Sequence, residues 1–76
     1  MRIWTDPDKG YTVDILPGGT FPARCYINWE GGMAEVDLGT WDIERAVDDQ
    51  PPPADLLHWL KTHEAYLWDS WHALHQ

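Results

Sequence analysis

In Ala23-Arg24-Cys25-Tyr26-Ile27-Asn28-Trp29-Glu30-Gly31-Gly32-Met33-Ala34-Glu35-Val36-Asp37-Leu38, apolar and polar side chains alternate on both sides of a glycine pair. A period of two is the signature of a half-buried strand, because successive side chains point to opposite faces. Ala23, Cys25, Ile27 and Trp29 share one face; Arg24, Tyr26, Asn28 and Glu30 share the other. Gly31-Gly32 is a two-residue hairpin signal. Beyond it, Ala34, Val36 and Leu38 point one way and Glu35 and Asp37 the other. The stretch therefore predicts two antiparallel strands with one apolar and one solvated face.

The hairpin extends upstream. Arg2-Ile3-Trp4-Thr5 predicts a short strand, and Asp6-Pro7-Asp8-Lys9-Gly10 carries strong turn chemistry. Tyr11 to Leu16 alternates again, with Tyr11, Val13 and Ile15 on one side, until Pro17-Gly18-Gly19 stops it. Downstream, Trp41 to Asp49 predicts a short helix with Ile43, Ala46 and Val47 as its apolar side. Asp42 and Glu44 lie near its positive end. Gln50-Pro51-Pro52-Pro53 then breaks the chain, and Pro53 suits the first turn of a second helix.

From Pro53 to Leu74, residues Leu56, Leu60, Leu67, Trp71 and Leu74 fall on one stripe at 100° per residue. Leu57 and Trp68 widen it on one side, Trp59 and Tyr66 on the other. His58, Lys61, Thr62, Asp69 and His72 fall opposite, while His63 sits toward the apolar side. The fold class is α+β: a three- or four-stranded antiparallel β-meander with a short helix and a long C-terminal helix packed on one face. Residues 1–76 form a single acidic domain, small for independent folding but rich in tryptophan, with six.

Charge locates a candidate surface. The formal net charge is −8. Residues 1–29 balance, with Asp6, Asp8 and Asp14 against Arg2, Lys9 and Arg24. Residues 30–55 carry Glu30, Glu35, Asp37, Asp42, Glu44, Asp48, Asp49 and Asp55 against Arg45 alone, a net −7. Such a segment repels nucleic acid and anionic membrane and attracts basic surfaces. Glu35 and Asp37 emerge about 6.6 Å apart on one face, with Glu30 near them across the turn. Carboxylates at that pitch imitate the phosphates of a nucleic-acid strand. The bland reading of the same residues is a solvated surface that keeps the chain soluble.

Other chemistry has thin support. Asp69, His72 and His75 share a helix edge at a spacing that metal sites use, yet no second ligand motif accompanies them. Exposed polar helix positions explain them better, and no cofactor is expected. Cys25 lies mid-strand and predicts an inert buried thiol; as the one cysteine it forms no internal disulfide, which fits a reducing cytoplasm. Ser70 lacks a nucleophile motif, so catalysis is not expected. No apolar run approaches the roughly 20 residues of a membrane span. Trp29 and Trp71 face the predicted core. Trp4, Trp41, Trp59 and Trp68 lie at element ends or stripe edges, where joint exposure would create an interaction patch, including a homodimer contact.

Phe21-Pro22-Ala23-Arg24-Cys25-Tyr26-Ile27-Asn28-Trp29, then Gly31-Gly32-Met33-Ala34, then Leu67 and Trp71, resemble the bacterial domain of unknown function 4160 family. The resemblance covers roughly residues 20–72 and implies a β-meander with a closing helix. It also implies a small bacterial protein encoded near toxin–antitoxin-type genes. Ala23 and Cys25 stand where that family places paired histidines. In size, acidity and single-domain character the chain further resembles anti-CRISPR and other DNA-mimic proteins. The function expected is a non-catalytic inhibitor from the phage or mobile gene pool, acting in the cytoplasm of a bacterial host cell. Through Glu30, Glu35, Asp37, Asp42, Glu44, Asp48 and Asp49 it would occupy the basic surface of a nucleic-acid-binding protein, without binding nucleic acid itself. An antitoxin-like partner of a basic toxin is the alternative on the same surface. A small metal-binding protein or enzyme using Asp69, His72 and His75 is the alternative from another class.

Overall fold

Every strand of the sheet pairs with its neighbour in the chain. The computed structural model describes residues 1–15, 23–44, 46 and 51–74. Its elements are β1 (Arg2–Thr5), β2 (Thr12–Asp14), β3 (Arg24–Trp29), β4 (Gly32–Asp37), β5 (Ile43–Glu44), α1 (Ala54–Thr62) and α2 (Glu64–Leu74). The five strands form one antiparallel sheet in the order β1-β2-β3-β4-β5, a meander. The architecture is α+β, with apolar helix side chains packed into the core of the sheet.

The alternation in β3 and β4 fixes the register. Cys25 faces Val36 and Ile27 faces Ala34, and all four are buried. One inner row runs Trp4–Val13–Ile27–Ala34 across four strands, and a second pairs Cys25 with Val36, with the exposed Ile43 beyond it at the sheet edge. Leu56, Leu60, Leu67 and Trp71 complete this core from the helices, as the stripe predicts. Each fully buried leucine contributes roughly 2 kcal/mol of transfer free energy. The hairpin loop lies one residue earlier than the glycine pair suggests. Trp29 pairs with Gly32, so the loop is Glu30-Gly31, and Gly31 takes the positive φ of 95°. Gly32 belongs to β4, where a Cβ would lie 2.7 Å from the Trp29 ring. The first glycine supplies conformation and the second supplies room.

The segment after β4 departs from expectation. Ile43 and Glu44 form β5 against Val36 and Glu35, where a helix over Trp41–Asp49 is predicted. Residue 45 and residues 47–50 lie outside the described residues, as do Pro17-Gly18-Gly19. The cause is a tight loop that returns the chain to the sheet edge. Asp37 N donates to Asp42 O at 2.9 Å, and Trp41 N donates to Asp37 O at 2.8 Å. Asp37 Oδ1 accepts from Gly39 N at 2.7 Å and Thr40 N at 3.1 Å. Trp41 closes the loop at φ 64°, in the left-handed region. The β1–β2 loop repeats this construction. Asp6 N donates to Tyr11 O and Gly10 N to Asp6 O, at 2.8 and 2.9 Å. Asp6 Oδ1 accepts from Asp8 N and Lys9 N, and Gly10 takes the left-handed position at φ 72°. Aspartate at the first position and a left-handed residue four later thus turn the chain twice.

The long helix predicted from Pro53 is two helices divided at His63, whose φ and ψ are −112° and 28°. Thr62 Oγ1 donates back toward His58 O and Trp59 O, each at 3.0 Å, a local bond that competes with the helical ladder. His63 N splits between Trp59 O at 3.0 Å and Leu60 O at 3.2 Å. Helical pairing resumes where Leu67 N donates to His63 O. Among the described residues, no helix is long and apolar enough to cross a membrane.

Candidate partner-binding surface

The face of the sheet turned away from the core collects polar side chains. Arg2, Asp14, Tyr26, Glu35 and Glu44 are successive cross-strand partners and form one row across all five strands. Arg24 and Asp37 pair in the next row toward the β4–β5 loop. Glu35 and Asp37 lie on one side of β4, two residues apart, as expected. Their predicted exposure is not. Glu35 is 5% exposed and Asp37 is 9% exposed. Glu35 sits mid-row between Tyr26 and Glu44, and the Asp37 carboxylate turns into its own loop to cap Gly39 and Thr40.

The remaining predicted acids divide. Glu44 is half-exposed, and its Oε2 lies 2.7 Å from Arg24 Nε. That cation offsets the placement of Glu44 directly opposite Glu35, since facing like charges otherwise repel. Glu30 is exposed in the β3–β4 loop, and Asp42 is exposed in the β4–β5 loop. They stand at opposite ends of β4, about 20 Å apart for a six-residue strand. Asp48 and Asp49 lie outside the described residues. The expected continuous acidic row is instead two exposed acidic ends joined by a paired and buried middle.

Three bases are held by acids. Arg2 Nε lies 3.3 Å from Asp14 Oδ1, Arg24 holds Glu44, and Lys9 Nζ pairs with Asp55. The last pair brings the β1–β2 loop onto the first turn of α1. Tyr11 Oη donates to Asp55 Oδ1 at 3.1 Å, and the same oxygen accepts from Leu56 N at 3.0 Å. The Lys9 hydrogen bond holds the Asp55 carboxyl below its ordinary pKa, and the Asp55 bond raises the Lys9 ammonium. Tyr11 is raised first by desolvation and then by Asp55. This tether joins residues far apart in sequence, and charge counting by segment misses it: Asp55 belongs to the acidic block, yet its charge is answered by the first hairpin.

The tryptophans pack rather than forming a bare patch: Trp71 is buried and the other five are partly buried. Trp4 stacks on Trp59 with ring centroids 4.1 Å apart, and Trp59 stacks on His63 at 4.3 Å. Trp68 meets Trp71 edge-on at 6.1 Å. His63 is exposed, and its Nδ1 lies 2.8 Å from Trp59 O, close enough for that nitrogen to carry the proton and donate. Asp69 and His72 are exposed, with His72 beside the Trp68 and Trp71 rings, and His75 lies outside the described residues. Among the described residues, no group of three or more His, Cys, Asp and Glu side chains could hold a metal ion. Cys25 is fully buried, and desolvation pushes its thiol up to about 12. No family model, no curated protein and no solved structure matches the chain.

Proposed function

We propose that this chain is a non-catalytic acidic binding protein, which inhibits a basic nucleic-acid-binding partner by occupying its cationic surface in the manner of an anti-CRISPR or DNA-mimic protein. The observation that carries the reading is the distribution of charge. The chain has a net charge of −8, and Arg2, Lys9 and Arg24 are each neutralised by a neighbouring acid. Glu30 and Asp42 remain exposed at the two ends of the β3–β4 hairpin. Opposite charge steers encounter over distances comparable with the Debye length, and that attraction weakens as salt rises.

The structure moves the informative mutations. Glu35 and Asp37 are poor probes of binding, because both are buried and Asp37 caps a loop. Glu30→Gln combined with Asp42→Asn removes exposed charge without opening the core. The test is capture of host-lysate proteins on the immobilised chain at low and high ionic strength, with mass spectrometry of the eluate. A basic nucleic-acid-binding protein should be retained at low salt, released at high salt, and bound more weakly by the double variant. Capture that ignores both salt and the double substitution would overturn the proposal.

A further inference from the structure

We draw no further inference here: the strongest candidate, the stacked Trp4–Trp59–His63 column beside the exposed Tyr66 ring at the β1 edge, already serves to fasten β1 to the helix junction, and nothing in the structure shows what would cover its outer face.

Discussion

The hydroxyl of Tyr66 donates a 2.8 Å hydrogen bond to the backbone carbonyl of Ile3, joining α2 to a strand 63 residues earlier. Among the described residues, β1 is an edge strand, with β2 as its one neighbour. Tyr66 therefore occupies an acceptor on an element that another chain could otherwise extend. The Trp4–Trp59 stack lies in the same seam and adds apolar contact to this polar one.

Replacing Tyr66 with Phe should remove that bond while keeping the ring. With the residue 44% exposed, water replaces part of what is lost. The expected destabilisation is about 0.5–1 kcal/mol, read as a lower urea midpoint at unchanged m-value. An unchanged midpoint would show that the bond contributes nothing net.

Two glycine substitutions should fail for different reasons. A Cβ at Gly10 meets nothing within 4 Å, so Gly10→Ala tests only the left-handed backbone and should cost about 1 kcal/mol. A Cβ at Gly32 collides with the Trp29 indole, so Gly32→Ala should cost about 1–3 kcal/mol by overpacking. Gly32→Ala should also shift the tryptophan emission spectrum, and Gly10→Ala should leave it in place. Equal spectra for the two variants would contradict the Trp29 contact.

The Lys9–Asp55 tether predicts a pH window. Asp55 is held below its ordinary value, so its contribution is present above the usual carboxylate range and is lost as pH falls through the lowered folded value. Lys9 is raised, so its contribution is present below the usual lysine range and is lost as pH rises through the raised folded value. Thermal melts of the parent chain and Asp55→Asn should differ most at neutral pH and converge in acid. A constant difference across the acid limb would remove the carboxylate from the account.

Cys25 should resist thiol reagents in the folded state. Its buried thiol, pushed up to about 12, supplies almost no thiolate at neutral pH. Reaction with a disulfide reagent should be slow in native buffer, rapid in urea, and faster in Gly32→Ala than in the parent chain. Immediate native labelling would contradict the burial.

The readable parts of this fold are those whose pattern repeats with a period. Cys25, Ile27, Ala34 and Val36 reveal β3 and β4, and Leu56, Leu60, Leu67 and Trp71 reveal the helical face. β5 is two residues long, too short for alternation to register, and Ile43 fits a helical side equally well. The signal for it lies in Asp37, which mirrors Asp6 as the cap of a chain-reversing loop. That correspondence is hidden because Trp41 stands where the first loop has Gly10. The break at His63 coincides with Thr62 Oγ1 bonding back to helix carbonyls, a contact no hydrophobic stripe reports. For the acidic surface, alternation correctly places Glu35 and Asp37 on one side of β4. It cannot register that Tyr26 and Glu44 flank Glu35, or that Asp37 bends into its loop.

The meander leaves its longest loop closures to the contacts between sheet and helices. Each strand pairing joins chain neighbours and closes a short loop, whose entropic penalty is modest. Longer closures join the sheet to the helices through the shared core, and three of them lie where the first hairpin meets the helices, at Tyr66 with Ile3, Lys9 with Asp55, and Trp4 with Trp59. That seam gains least from local structure and depends most on the rest of the fold being in place. Opening at that seam should therefore precede unpairing of the β3–β4 hairpin, read as faster amide exchange in β1 than in β3 and β4.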